Sequence, residues 1–316
     1  MKRFAQIFAA FALSILIAQC RKDVALKQAS NMPTIDFAFD VALAKRADSG
    51  DARAQCLLGL CYQNGEGVPK NMIEAVKWFR KAAEQNEKEA QFYLGFAHDS
   101  GNGASRDVAE AMKWYRMSAD QGFMMAQGFL GMCYEYGKSG SKNPIEAVYW
   151  YRKAAEQGYS NAQTSMGLCY AYGTGVPQDY AEAVKWYKKA ADQNDCMAQF
   201  NLGICYLAGN GVSKDLNQAM HWLSKAAERN DPNAQAFLGM MYFRGGAIKK
   251  DLVQAYKWIN LAAAQDQHDA EQLRNIVGAE MSPQQIAEAQ RFSSEFRPIP
   301  VDATNLLKMS KRVKNK

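Results

Sequence analysis

The chain has 316 residues, of which 48% are hydrophobic and 22% charged, with a net charge of +6. These are the proportions of a soluble globular protein. The positive excess sits at the two ends, in Lys2, Arg3, Arg21 and Lys22 and in Lys308, Lys311, Arg312, Lys314 and Lys316. The body is therefore near balance, which excludes a long nucleic-acid-binding stripe.

At the N-terminus, Lys2 and Arg3 precede an apolar run from Phe4 to Ala18 broken only by Gln6 and Ser14. A charged start followed by a run shorter than the ~20 residues of a spanning helix reads as an export signal over residues 1–20. Leu16-Ile17-Ala18-Gln19-Cys20 resembles a bacterial lipobox, which makes Cys20 the candidate lipidation site, although Gln19 stands where a small residue is expected. Cleavage without lipid and retention as an anchor stay open beside it. The expectation is an exported protein, periplasmic, envelope-associated or extracellular. Residues 21–50 read as a linker and an N-terminal capping helix, because Phe37 to Ser49 has the spacing of the helices described next.

From 51 to 269 one interval governs the chain. Trp78, Trp114, Trp150, Trp186, Trp222 and Trp258 fall 36 residues apart, as do Gly59, Gly95, Gly131, Gly167, Gly203 and Gly239. Gln55, Gln91, Gln127, Gln163, Gln199 and Gln235 keep the same step. Such a period marks a solenoid whose units cannot bury their apolar faces alone, so the length argues for one elongated array rather than two ordinary domains. In the fourth unit, Ala162, Met166, Cys169 and Tyr170 share one side of a helix, and Gly167 admits a close neighbour. Gly173 and Gly175 supply a tight turn. Asp179 with Glu182 three residues on is the carboxylate variant of a capping box for a second helix over about Tyr180 to Gln193. Each unit is thus helix–turn–helix, with the tryptophan expected at the junction of its own two helices. Asn71/Glu74, Asp107/Glu110 and Asn143/Glu146 repeat the cap, and Pro144 takes the first helical position. Gly245-Gly246-Ala247 predicts a different turn in the sixth unit. The Gly-x-Gly turns follow helices and lack a following Lys-Ser/Thr, so they are not phosphate loops.

Residues 270–298 read as C-terminal capping helices, with Ser282 capping the last, Pro283 starting it and Gln285 completing the box. Residues 299–316 lack periodicity and read as a basic disordered tail.

The residues Ala54, Leu58, Gly59, Tyr62, Gly65, Gly67, Val68, Asn71, Ala75, Trp78, Ala82 and Ala83 resemble the Sel1-like repeat, six times over. Met281 to Ala287 is similar to that family's closing segment. The resemblance implies a right-handed α/α superhelix, similar to tetratricopeptide arrays, acting as an adaptor for a protein or peptide. Exported bacterial members are similar to proteins that help bacteria enter host cells, build the envelope or secrete polysaccharide. A cysteine-rich branch is linked to penicillin binding, but this chain lacks its paired cysteines in each repeat. Here Cys61, Cys133, Cys169 and Cys205 fill one column. Stacked helices lie about 8–10 Å apart, beyond disulfide reach, so these cysteines read as unbridged packing residues. No CxxC or Cys/His cluster calls for a metal, and nothing calls for a cofactor.

Comparison of columns separates scaffold from candidate site. On the first helices the columns headed by Ala54, Gln55, Leu58, Cys61 and Tyr62 stay nearly fixed, while those headed by Arg53, Cys56, Leu57, Gln63 and Asn64 vary. The varying face is expected to line a groove, with Phe92, Asp99, Glu135, Tyr136, Tyr172, Phe200, Leu207, Phe243 and Arg244 as candidate contacts beside a competing role in packing. Lys77, Lys113, Lys185 and Lys257 on the second helices read as a solvated face. His98, His221 and His268 occupy unrelated columns, and Ser139-Gly140-Ser141-Lys142 matches Ser-x-x-Lys without its companion motifs. The reading is a monomeric, non-enzymatic scaffold that touches membrane only through an N-terminal lipid or an uncleaved signal. The alternative is a penicillin-binding hydrolase built on Ser139.

Overall fold

The computed structural model describes residues 40–138, 140–265 and 269–300, which form helices and turns with no strand. The export signal with Cys20, the residues up to Phe39, Ser139, His268 and the tail beyond Pro300 lie outside the described residues. The chain divides into two compact units, one ending at Trp186 and one beginning at Tyr187.

The first unit holds α1 (Val41–Asp48), α2 (Ala52–Asn64), α3 (Met72–Glu84), α4 (Lys88–Ser100), α5 (Val108–Asp120), α6 (Met124–Tyr136), α7 (Pro144–Glu156) and α8 (Ser160–Tyr172). Helix α9 (Tyr180–Ala191) runs through the boundary. The second unit continues with α10 (Cys196–Ala208), α11 (Leu216–Glu228), α12 (Pro232–Arg244), α13 (Leu252–Ala263), α14 (Ala270–Gly278) and α15 (Pro283–Glu295). Even-numbered helices from α2 to α12 are the first helices of six repeats, and each is followed by its second helix. Helix α1 stands in for a second helix at the N-terminal end: its buried Ala47 offers its carbonyl to the Gln55 amide at 3.0 Å.

Short-range chemistry fixes these bounds. Helix α2 starts where the Asp51 side chain accepts from the Ala54 amide and ends at Gly65, whose φ is 82°. Gly245 instead has ψ of −152°, the departure that Gly245-Gly246-Ala247 predicts. Helix α15 has the full capping box, with the Gln285 amide donating to the Ser282 hydroxyl and the Ser282 amide donating to Gln285 Oε1. In the repeats the expected box forms only by half. Asn71 caps the amides of Ile73 and Glu74, but its own amide donates to the Tyr62 carbonyl at 2.8 Å. With that donor already used, Glu74 turns outward and accepts from Lys77 at 2.6 Å.

The glycine column is where two helices of one repeat meet. A Cβ at Gly59 would lie 2.6 Å from the Phe79 ring, at Gly131 2.7 Å from Tyr151, and at Gly239 2.4 Å from Ile259. The residue after the tryptophan therefore fills this junction, which corrects the expectation for the tryptophan itself. One position earlier is about 100° around the helix, so the tryptophan reaches the neighbouring second helix instead. Trp150 packs under the Arg116 guanidinium of α5 at 5.1 Å, and Trp258 meets Phe296 beyond α15 at 5.8 Å.

The glutamine column binds each repeat to the one before it. Gln127 donates to the Ala119 carbonyl at 3.1 Å and accepts from Gln157 at 2.7 Å; Gln91 and Gln235 do the same with Gln121 and Gln265. Arg229 interrupts the series, and the buried Gln199 Oε1 accepts no hydrogen bond. Arg229 donates instead to Asn194 at 2.9 Å and to the Pro300 carbonyl at 3.3 Å, while the Ile299 amide donates to the Glu228 carbonyl at 2.9 Å. The first two residues of the expected tail are thus tied to the end of α11.

Candidate interaction surface

The varying columns of the first helices are mostly buried, and this removes two groove candidates. Phe92 is 0% exposed, with the rings of Tyr93, Tyr115, Phe123 and Phe129 within 5.2–5.7 Å of its own. Phe200 is 4% exposed and meets Phe237 edge-on at 5.9 Å. Their variability has an internal cause. Most first helices are capped by an acid, as at Asp195 and Asp231. At Phe123 and Tyr159 an aromatic residue holds the cap position with no side-chain cap bond. Phe123 packs on Phe92, and the Tyr159 ring occupies the space above Gly128, where a Cβ would lie 2.7 Å away. At Gly128 the bulk missing from the helix is supplied by the cap residue of the next repeat, so this column can vary for reasons of packing alone.

The acids are also committed inward. Lys138 pairs with Asp99 at 2.6 Å, and the Tyr151 hydroxyl donates to Glu135 at 2.8 Å. Burial, reinforced by the Glu135 carboxylate, holds the ionisation of Tyr151 well above the usual phenol range; burial and Asp99 do the same to Tyr115. Asp99 and Glu135 therefore accompany buried tyrosines rather than line an open groove. A sequence signal existed: sixteen positions after Leu207 and Phe243 stand Leu223 and Ile259, where the acids have Tyr115 and Tyr151.

The other candidates stand at the C-terminal ends of first helices. In the first unit these are Tyr136, half-buried, and Tyr172, 37% exposed. In the second unit Leu207 and Phe243 pack partly on the core, Lys250 lies 5.1 Å from the Phe243 ring centre, and Arg244 is exposed. The second-helix face is less uniform than its lysine column suggests, since Ile73 and Ile145 are 62% and 72% exposed. Three of its four lysines form i, i+3 pairs, Lys77 with Glu74, Lys113 with Glu110 and Lys185 with Glu182.

His98 is tied into the scaffold by two hydrogen bonds. Arg80 donates to His98 Nε2 at 3.3 Å, which leaves His98 Nδ1–H to donate to the Ser105 carbonyl at 3.1 Å. Arg116 and Arg152 repeat this contact on the Tyr134 and Tyr170 hydroxyls. His221 packs edge-on against Trp222 at 5.1 Å. Six cysteines are described and all are thiols; Cys56, Cys61, Cys133, Cys169 and Cys205 are buried and Cys196 half-buried. Among the described residues no cluster could hold a metal ion, and no helix is long and apolar enough to cross a membrane.

The fold is an all-α repeat solenoid. Residues 52–87, 88–123, 125–159, 160–195, 196–231 and 232–267 each match the Sel1 repeat, so the chain belongs to the Sel1 repeat family. Among solved structures it is similar to a Sel1 repeat protein from Oxalobacter formigenes, with 36% identity and a TM-score of 0.64 over 67% of this chain and 85% of that one. It is also similar to c5321, a protective antigen present in uropathogenic Escherichia coli strains and displaying an SLR fold, with 32% identity and a TM-score of 0.55. That match covers 80% of this chain and 62% of the antigen. A comparison with curated proteins finds no match.

Proposed function

We propose that the protein is a non-catalytic scaffold that binds another protein or a peptide. The observation that carries this reading is a division of labour along the repeats. Glycine, glutamine and tryptophan columns are spent on packing, while unlike side chains, Tyr136 and Tyr172 in one unit and Arg244 in the other, end the first helices in contact with solvent. Aromatic and arginine side chains that reach solvent at the ends of first helices suit protein recognition. The signal-like segment over 1–20 supports export, with Cys20 as the lipid attachment point, and the similarity to a protective antigen supports a partner in the envelope or on a host cell.

The test is recovery of a partner from envelope and host-cell extracts with the full chain tagged at either end, alongside exposure to a fluorescent β-lactam. A partner that rebinds the purified chain, with no covalent labelling, is expected. Failure to recover one in both tag orientations, or β-lactam labelling abolished by Ser139→Ala, would overturn the scaffold reading.

A further inference from the structure

A carboxylate, a buried tyrosine and a buried thiol come together at the C-terminal ends of two consecutive first helices. In one set Asp99 of α4 stands beside Tyr115 of α5 and Cys133 of α6. In the next, Glu135 of α6 stands beside Tyr151 of α7 and Cys169 of α8. All six residues lie in the first compact unit.

The sets differ in one further member. Lys138, from the turn after α6, places its ammonium 2.6 Å from Asp99, whose side chain is 10% exposed. One repeat on, Thr174 stands in the column of Lys138. The backbone is alike in both turns. Gly137 and Gly173 have φ of 65° and 68°, and the amide that follows donates to the Cys133 carbonyl at 3.0 Å in one and to the Cys169 carbonyl at 2.9 Å in the other. Threonine is short and uncharged, and Glu135 makes no ion pair among the described residues. The same column holds Gln63, Ala171, Leu207 and Phe243 in the other repeats, so Glu135 is its one acid without an ammonium.

This carboxylate is half-buried and already oriented. The Tyr151 hydroxyl donates to its Oε2 at 2.8 Å, which leaves Oε1 for a second donor. Half-buried Tyr136 is close enough to Tyr151 to push its ionisation up further, and Tyr172, in the Tyr136 column one repeat on, is 37% exposed.

We propose that Glu135 is the docking point for a basic side chain of the partner protein, which takes the place that Lys138 fills at Asp99. This rests on the scaffold reading and gives its partner a charge. A carboxylate partly withdrawn from water gains more from a cation than a fully exposed one does. Held by the Tyr151 hydroxyl, it also loses little freedom on pairing. The neighbouring tyrosines offer ring surface to the stem and head of a lysine or arginine. Because Lys138 already occupies Asp99, the bound segment needs one basic residue here rather than two.

Thr174→Lys would complete the second set from within, which makes it the decisive variant. A random 16-residue peptide library is selected on the full chain. The enriched peptides, and versions with each basic residue changed to glutamine, are then titrated against wild type, Glu135→Gln and Thr174→Lys. Each peptide is expected to carry one basic residue whose change weakens binding about 10-fold. Glu135→Gln and Thr174→Lys should each weaken the unchanged peptide about 10-fold, and neither should add to the loss once that residue is glutamine. Melting temperatures should hold, since Glu135→Gln keeps an oxygen for the Tyr151 hydroxyl and Thr174→Lys leaves that bond untouched. Enriched peptides without a basic residue, or peptides that both variants bind as wild type does, would overturn the docking point and leave the scaffold reading standing. No enrichment at all would count against both.

Discussion

Tyr159 trades a helix cap for a filled space, and that exchange can be measured. Aspartate in its place would restore a cap worth about 1 kcal/mol but vacate the volume above Gly128, where losing a buried aromatic costs about 3–5 kcal/mol. Tyr159→Asp alone should therefore lower stability by roughly 2–4 kcal/mol in denaturant unfolding. Adding Gly128→Phe recreates the natural pairing of Phe200 with the Asp231 cap and should recover at least half of that loss; strictly additive effects would refute the exchange. The cysteines give a second residue-scale prediction. Burial pushes the Cys133 thiol up to about 12 and Cys205 up to about 11. In the folded protein at pH 8 the buried thiols should resist iodoacetamide while half-buried Cys196 reacts first, and all should react after unfolding, as mass spectrometry would show. The sign of the linkage follows: the folded thiols ionise later than the unfolded ones. Their contribution is complete below about pH 8.5 and is lost as pH rises towards about 11–12.

At the scale of elements, the two inter-repeat devices should weigh differently. Trp150 is 2% exposed and lies on the seam between second helices, so Trp150→Ala should cost about 3–5 kcal/mol. Trp258→Ala, close to the closing helices, should cost less, since fraying there disrupts fewer interfaces; equal falls in melting temperature would argue against that nearest-neighbour picture. Gln127→Leu removes the bonds from Gln127 to the Ala119 carbonyl and from the Gln157 amide to Gln127 and should cost about 2 kcal/mol, whereas Gln199→Leu, whose oxygen has no donor to lose, should cost about 1 kcal/mol less. The helix–turn–helix unit, the Asp and Asn caps, the odd turn at Gly245 and the Ser282 box were all legible, because each is local chemistry repeated or flagged by residue type. The tryptophan's direction was not, because periodicity places a side chain on a face without naming which neighbour covers that face. The half-formed capping box was hidden for a related reason: the Tyr62 carbonyl that takes the Asn71 amide comes from the preceding helix.

Across the whole molecule, the site was less legible than the fold. The first helices are covered on more than one side, and α2 buries every residue from Ala54 to Cys61. A helix covered that way has no single apolar stripe, so a column that varies for packing and one that varies for a partner look alike in one sequence. Phe92 and Phe200 illustrate the first kind, and the proposed function assigns Tyr172 and Arg244 to the second. The measurement that separates them pairs melting temperature with affinity for a recovered partner in Phe92→Ala, Phe200→Ala, Tyr172→Ala and Arg244→Ala. The two phenylalanine variants should melt early, by the equivalent of about 3–5 kcal/mol. The Tyr172 and Arg244 variants should keep their melting temperatures, and at least one should bind about 10-fold more weakly. Early melting of Tyr172→Ala and Arg244→Ala, or unchanged melting of Phe92→Ala, would contradict this division between scaffold and binding surface.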